Sequence, residues 1–322
     1  MRRTIFLTIL AGLCSCVALC AQDHIVEQLN RYGTLDEWSV RSVKESGIIG
    51  GNVKYLNEFF GDRDTVETKE PFTPPEGYLW RTNNVLAVVA GVTKTSNTVF
   101  PEARGDGYCA RIETHVESVK AIGIVNMDVI CQGAFILGAL PEPIRNTKDP
   151  MEKVLYGIPF EGRPVALVYD FKADVGHEAI RGTGFSRLKN LGYPDYPEIA
   201  IILQKRWEDA DGNVHALRVG SGHDRIMENV SEWKNGHRLA VHYGDISGEP
   251  FFEDYMGLMT DPERAFHTIN SKGENVTVLE EGWAPADEQP NFMIIKFLSS
   301  CGKAFYGGVG NTLWIDNIRL EM

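Results

Sequence analysis

Apolar and polar residues alternate along several stretches of this chain, and a period of two is typical of half-buried β-strands. The alternation covers residues 38–43, 110–116 and 313–320. Short apolar runs rich in β-branched and aromatic residues indicate interior strands at residues 85–89, 165–171, 199–203 and 292–297. Helical patterning is confined to residues 25–32 and 261–268. The sequence therefore predicts an all-β protein built as a two-sheet β-sandwich.

Long segments rich in Pro, Gly, Asp and Asn separate these predicted strands, at residues 71–78, 141–150, 182–197 and 244–288. Loops of this length in a compact domain are often functional. No linker, low-complexity tract or internal repeat interrupts the chain. We therefore expect one sandwich domain with long decorated loops over residues 37–322, preceded by a leader at residues 22–36.

The first 21 residues have the layout of a secretory signal peptide, with Arg2 and Arg3 followed by an apolar run at residues 5–13. That run is too short to predict a retained membrane span. We expect cleavage after Ala21 and an exported mature protein in the periplasm, at the cell surface or outside the cell. The alternative is a lipoprotein anchored at Cys16, since residues 13–16 loosely fit a lipid-attachment motif.

Acidic residues outnumber basic ones, with 44 Asp and Glu against 32 Lys and Arg, a net charge of -12. Nucleic acid and anionic membranes are bound through basic patches, and no run of five like charges occurs. The composition therefore argues against both partners and is compatible with a neutral ligand.

Three cysteines lie beyond the signal peptide, at Cys109, Cys131 and Cys301. They allow one disulfide with a spare thiol, or three buried thiols. No Cys-x-x-Cys pair or Cys/His cluster has zinc-binding spacing. We interpret them as structural.

The C-terminal segment at residues 297–320 joins an apolar strand, a serine cluster, a Gly-x-Gly turn and a last strand carrying Asp316. With the Phe-x-x-Arg-Pro motif at residues 160–164 and elements at residues 96–99 and 107–114, it resembles the putative carbohydrate metabolism domain family of exported Bacteroidetes proteins. The resemblance covers residues 37–322 and implies a jelly-roll or galactose-binding-like sandwich associated with glycans. It implies no particular reaction.

Sugar receptors combine flat aromatic side chains with planar hydrogen-bonding groups, because a pyranose has one apolar face and polar edges. Aromatic residues at or beside predicted loops are therefore candidate carbohydrate-binding residues: Trp283, Trp233, Trp207, Tyr193 and Tyr196. Any single one of them is more often a core residue.

A structural calcium ion is a second candidate, because sandwiches of this kind can clamp their first and last strands with carboxylates. Asp316 on the last predicted strand and Glu37 at the first have the required chemistry and chain placement. A lone Asp on a strand is more often solvated or bonded to a turn.

No catalytic motif is present: Gly-x-Ser-x-Gly, Gly-x-x-x-x-Gly-Lys and His-Glu-x-x-His are all absent. Ser221, His223 and Asp224 are too close in sequence to suggest a triad, and a turn is the simpler interpretation. The leading hypothesis is a non-catalytic glycan-binding or glycan-handling protein of the bacterial envelope, which also has other envelope proteins as candidate partners. The alternatives are a glycoside hydrolase with its acids in residues 244–288 and a structural envelope component.

Overall fold

The computed structural model describes residues 23–61, 64–68, 70–89, 91–121, 125–145, 150–184 and 186–322. The predicted signal peptide, the Cys16 lipidation site and Gln22 lie outside these residues. Within the described chain, no helix is both long enough and apolar enough to span a membrane.

Residues 23–32 form an α-helix, in agreement with the predicted helix at residues 25–32. The first strands follow in chain order: β1 Ser39–Lys44, β2 Val53–Glu58, β3 Thr65–Glu67, β4 Trp80–Thr82, β5 Val85–Val89, β6 Val92–Ser96, β7 Val99–Arg104, β8 Gly107–Glu113, β9 His115–Ala121, β10 Val125–Cys131, β11 Ala134–Ala139, β12 Leu155–Tyr156, β13 Ile158–Pro159 and β14 Ala166–Asp174. The remaining strands are β15 Glu178–Arg181, β16 Thr183–Gly184, β17 Lys189–Pro194, β18 Glu198–Glu208, β19 Val214–Arg225, β20 Val230–Ala240, β21 His242–Tyr243, β22 Phe266–Ile269, β23 Asn275–Val278, β24 Glu280–Trp283, β25 Phe292–Leu298, β26 Tyr306–Gly308 and β27 Thr312–Glu321. Short 3₁₀ turns occupy Gly47–Ile49, Pro150–Lys153, Asp254–Met256 and Pro262–Arg264.

Two large sheets form the sandwich in the described part of the chain. One has 11 strands with the main order β21-β19-β18-β25-β11-β12-β22-β23, and the other has five in the order β20-β14-β27-β8-β7. Their facing surfaces share one hydrophobic core, to which β18 and β25 contribute Ile201 and Phe297, and β14 and β27 contribute Tyr169 and Ile315. The all-β sandwich predicted from the alternation is therefore confirmed.

The segment before the first strand also belongs to this core. Leu29 of the helix and Leu35 after it are fully buried, and the Trp80 indole donates a hydrogen bond to the Leu29 carbonyl at 3.3 Å. Gly33 passes so close to β27 that an added Cβ would lie 1.8 Å from the Ile318 carbonyl oxygen. The predicted leader is thus packed on the sandwich through contacts that only glycine permits.

Two sequence expectations differ from the structure locally. The helix predicted at residues 261–268 is limited to the 3₁₀ turn Pro262–Arg264, where Asp261 does cap the turn, because residues 266–269 pair with β23 as strand β22. The predicted loops at residues 182–197 and 244–288 carry short strands of their own, including β17 and β22 to β24. Tertiary pairing outweighs local propensity in both places.

A buried group of charged side chains connects the small sheet β2-β1-β3 to the rest of the molecule. Arg41 on β1 bonds to Glu58 on β2 at 2.7 Å and to Glu142, in the segment after β11, at 2.8 Å. Glu142 also accepts the backbone N–H of Leu86 on β5. One guanidinium thus serves two carboxylates, and burial raises the pKa of Glu58 to about 7 although Arg41 opposes the shift.

This raised pKa predicts how stability depends on pH. A carboxyl with a folded pKa above its unfolded value stabilises the fold below the unfolded pKa, and that contribution is lost as pH rises through the folded pKa. We expect the free energy of unfolding to fall between about pH 4.5 and pH 7, by up to roughly 3 kcal/mol. Urea denaturation across this range should show the slope in the wild type and not in Glu58→Gln. Glu67→Gln, at an exposed position on β3, is the control and should keep the pH dependence of the wild type.

Candidate functional site

The outer face of the five-stranded sheet carries a line of side chains across all five strands. This aromatic row consists of Phe100 on β7, Arg111 on β8, Trp314 on β27, Lys172 on β14 and Trp233 on β20. The strand register places its first four members directly opposite one another from strand to strand. Its side chains point outward because their neighbours in sequence, such as Leu313 and Ile315, fill the core. Five strands at their usual spacing make the row about 19 Å long.

Cations alternate with rings along the aromatic row. Arg111 lies 4.4 Å from the ring centroid of Phe100, and Lys172 lies 4.4 Å from that of Trp314 and 5.6 Å from that of Trp233. Glu102 accepts a hydrogen bond from the Trp314 indole at 2.9 Å. These contacts fix the rings in place on the surface, since cation–π and ring hydrogen bonds each restrict their orientation.

Arg104 joins the aromatic row to a pair of carboxylates. Its guanidinium stacks 3.8 Å from the ring centroid of Trp233 and bonds to Asp316 at 2.5 Å and Asp170 at 2.9 Å. Asp170 and Asp316 are directly opposite each other on β14 and β27. Arg104 also donates to the Asn235 side chain at 2.7 Å. This Arg104 cluster therefore brings Trp233 and Asp316, both predicted from sequence, to one place.

The two carboxylates of the Arg104 cluster have different proton affinities. Burial raises the pKa of Asp316, and its bonds to Arg104 and to the Asn317 backbone offset this only in part. Burial also opposes ionisation of Asp170, but hydrogen bonds from Asn317, the Gly236 backbone and Arg104 outweigh it and lower its pKa. Adjacent acids whose pKa values are pushed apart are a common feature of functional sites.

A β-bulge in β27 places Asn317 at this site. The pairing of β14 with β27 shifts between Val168 and Asp170, and Asn317 adopts a left-handed backbone with φ of 50°. Its side chain donates to Asp170 at 2.9 Å. Bulges and left-handed non-glycine residues are costly and concentrate near functional sites.

A surface cleft of about 380 Å³ opens beside the Arg104 cluster. Its lining includes Asp316, Asn317, Arg104, Tyr108 and Asp36. Asp36 accepts the Tyr108 backbone N–H at 2.9 Å. Asp36 is thus the carboxylate from the start of the domain that lines the same cleft as Asp316.

Glu37, the residue predicted from sequence to join Asp316 at a calcium site, points elsewhere and accepts the Tyr78 hydroxyl at 2.6 Å. Asp316 is held by Arg104 instead. Within the described ranges, no three His, Cys, Asp or Glu side chains are grouped so that they could hold a metal ion. Calcium binding stays a prediction.

The other predicted ligand residues are dispersed. Trp207 lies on β18, 43% exposed and stacked on His215 at 5.3 Å, and Trp283 lies on β24 near Arg218. Tyr193 is exposed on β17, whereas Tyr196 packs against the core. Most of these aromatic side chains belong to strands, although they were predicted to lie at or beside loops. None of these four lies in the Arg104 cluster.

The acids of residues 244–288 make several separate contacts, and Asp261 and Glu263 both pair with Lys303. Glu280 is buried in a bond with Arg218, and Glu281 pairs with His215. Asp245, Glu249 and Glu253 lie at the surface. Glycan cleavage by acids of this segment stays a prediction.

The structure also bears on the two cysteine arrangements that the sequence allows. Cys109, Cys131 and Cys301 are free thiols. Burial raises the pKa of Cys109 to about 12 and that of Cys131 to about 11, so both stay protonated at neutral pH.

The stretch at residues 221–225 was predicted as a turn. It continues strand β19, and the side chain of Asp224 bonds to Tyr169 and His237 while that of His223 lies near Arg218. Neighbouring residues of a strand point to opposite faces, so His223 and Asp224 cannot act as a pair.

Other residues of the site were not predicted from the sequence: Arg104, Asp170, Trp314, Lys172 and Asp36. Trp314 lies in the alternating stretch at residues 313–320, and its outward position there was the available signal. Arg104 and Asp170 gave no such signal, because only strand register brings them to Asp316.

Fold and site together define a β-sandwich protein in which one sheet face is lined by aromatic and charged side chains. The chain belongs to the family described as the putative carbohydrate metabolism domain, which matches residues 62–321. Its function is therefore related to carbohydrate. No protein with a curated description is detectably similar.

Two solved structures of Bacteroides proteins resemble the chain. One, named a putative glycoside hydrolase from Bacteroides thetaiotaomicron VPI-5482, is 16% identical with a TM-score of 0.41, over 84% of this chain and 80% of that chain. The other, named a putative glycoside hydrolase from Bacteroides vulgatus ATCC 8482, is 15% identical with a TM-score of 0.46, over 88% of this chain and 95% of that chain.

The Arg104 cluster predicts a pH-dependent effect of mutation. Arg104→Met leaves two adjacent, largely buried carboxylates without their cation, and we expect it to cost about 2 to 3 kcal/mol at pH 7. The cost should shrink at pH 4, where one carboxyl accepts a proton. Adding Asp316→Asn to Arg104→Met should restore much of the stability at pH 7. Urea denaturation at both pH values measures this, and an equal loss at both would contradict it.

Proposed function

We propose that the protein binds a carbohydrate chain along the aromatic row, on the outer face of the five-stranded sheet. The observation that carries the proposal is the alignment of Phe100, Trp314 and Trp233 on three different strands in one line. Rings held on rigid strands present apolar surface to the C–H faces of successive sugars. The charged groups between them, Arg111 and Lys172, supply hydrogen bonds to hydroxyls at an interval of about 10 Å, two strand spacings.

The Arg104 cluster supports binding at one end of the aromatic row. Arg104, Asn235 and Asn317 are planar hydrogen-bonding groups beside the Trp233 ring, and such groups orient a sugar through its polar edge. Carbohydrate binding also agrees with the family to which the chain belongs. We further propose that the protein handles glycans without cleaving them. Its N-terminal segment supports the proposal that it is exported and meets these glycans outside the cytoplasm.

Substitution of the row tests this function. A glycan array on the mature protein first identifies a ligand, and Trp314→Ala and Trp233→Ala should then each weaken binding at least tenfold, which is about 1.4 kcal/mol. The loss of stability should remain well below the roughly 3 to 5 kcal/mol of a core aromatic, because both rings are only half-buried. Isothermal titration calorimetry and thermal melts measure the two effects.

Trp207→Ala is the matched control, since Trp207 is a partly exposed tryptophan on the other sheet. It should bind as the wild type does. Trp283→Ala tests another tryptophan that the sequence predicts to bind carbohydrate. Loss of binding in Trp283→Ala, with both row variants still binding, would move the ligand to the eleven-stranded sheet and end the proposal.

Glycan cleavage is the second candidate function, favoured by the split pKa values of Asp170 and Asp316. Both carboxylates contact the Arg104 guanidinium, so they lie close together, as the paired carboxyl groups of glycosidases do. Asp316, with the raised pKa, fits the general acid, and Asp170, held ionised, fits the nucleophile. Arg104 would have to yield its place to the substrate.

This second function predicts release of reducing ends from the bound glycan. Asp316→Asn and Asp170→Asn should each abolish release, while binding persists. Glu253→Gln, in the exposed segment at residues 244–288, should leave release unchanged. If the wild type releases nothing from a glycan that it demonstrably binds, cleavage is excluded and binding stands.

A further inference from the structure

The eleven-stranded sheet buries a group of charged side chains on the face turned away from the sandwich core. Glu198 on β18 accepts Lys296 of β25 at 2.8 Å and Arg225 of β19 at 2.6 Å. Burial opposes ionisation of Glu198, but the two cations hold its pKa at about 2. This carboxylate is thus ionised at neutral pH and shared between two cations.

A second carboxylate on the same face is shared in a similar way. Glu280 bonds to Arg218 and accepts the Gln204 amide at 2.6 Å, and Gln204 in turn accepts Arg206 at 2.7 Å. Both terminal nitrogens of Arg206 are buried without a hydrogen-bond partner in the described chain, and the guanidinium lies 3.6 Å from the Phe292 ring centroid. Burial lowers the pKa of Arg206 to about 9.

The face therefore carries excess positive charge, although the whole chain has a net charge of -12. His223 lies between the two groups, with its Nε2 3.4 Å from Arg218. Burial and the nearby Arg218 lower the pKa of His223 to about 3, so it adds no charge at neutral pH. A buried positive excess is costly unless an anion compensates it.

A cavity of about 80 Å³ reaches this charged face from the surface at Lys296. Tyr156, Phe266 and Leu298 give it apolar walls. Lys303 and Arg264 also line the cavity; Lys303 pairs with Glu263 and Asp261, so Lys296 is the cation available to a ligand. Lysine has three donor hydrogens, and Glu198 is the partner that Lys296 has in the described chain, so donors remain for a ligand.

We propose that this cavity is a second binding site, which takes the negatively charged substituent of an acidic sugar, a carboxylate or a sulfate ester. Lys296 forms the ion pair, and the apolar walls contact the sugar ring. The site is distinct from the aromatic row, which lies on the other sheet. It adds recognition of charge to the binding of neutral sugar units.

Calorimetry with monosaccharides tests the cavity. Galacturonate, glucuronate and galactose 6-sulfate are the probes, and neutral galactose is the comparison. At least one acidic sugar should bind at least tenfold more tightly than galactose, and its affinity should fall as salt is raised, because an ion pair is screened. The probe that binds tells whether the carboxylate or the sulfate is recognised. Equal binding of galactose would overturn the proposal.

Two variants test the location of the site. Lys296→Met should weaken acidic-sugar binding at least tenfold, and a circular-dichroism melt shows whether it still folds. Ala304→Phe fills the cavity from a half-buried wall position without touching the buried ion pairs, so it decides the question if Lys296→Met is unstable. Unchanged binding in Ala304→Phe would overturn the proposal.

Lys205→Met is the matched control, since Lys205 is a half-buried lysine of β18 that pairs with Glu288 and does not line the cavity. It should bind like the wild type. Trp314→Ala separates the two sites: it should keep acidic-sugar binding even if the aromatic row fails as a glycan site. Loss of acidic-sugar binding in Trp314→Ala would place the ligand on the row and reject the cavity.

Discussion

Burial of the central strands on both faces is the constraint on which the structure depends. Residues 198–204 of β18 and 293–297 of β25 are buried throughout, so one face of each strand fills the sandwich core and the other is covered as well. The cover comes from β12, β22 and β23, whose Tyr156, Phe266 and Val278 form a second hydrophobic cluster on that face. Any polar side chain on these strands must therefore find a partner inside the protein.

That requirement explains the ion pairs of Glu198 and Glu280. Each is placed by the alternation of its strand on the covered face, and each is neutralised by cations from neighbouring strands. The five-stranded sheet has the opposite arrangement, with one face in the core and the other bearing half-exposed aromatic and charged side chains. This open face offers a long surface to a polymer, which is why we propose the aromatic row for a glycan chain and the Lys296 cavity for a single charged group.

The candidate site was partly accessible from the sequence. Trp233 and Asp316 were selected by residue chemistry, and the structure joins them through Arg104. Glu37 was one residue away from Asp36, which lines the cleft beside Asp316. Trp283, Trp207, Tyr193 and Tyr196 have the same chemistry, yet they lie on other sheets or in the core. Residue type alone could not separate the two groups, since every tryptophan suits a sugar equally well before its position is known.

The sequence by itself determined the all-β class, the position of most long strands and the assignment to a carbohydrate-related family, because alternation and local motifs are encoded within a few residues. Tertiary structure decided which strands became neighbours. The line of Phe100, Trp314 and Trp233, and the contact of Arg104 with Asp170 and Asp316, depend on register between strands as far apart as β7 and β27. A shift of one residue would turn each side chain to the opposite face, and no local pattern fixes that choice.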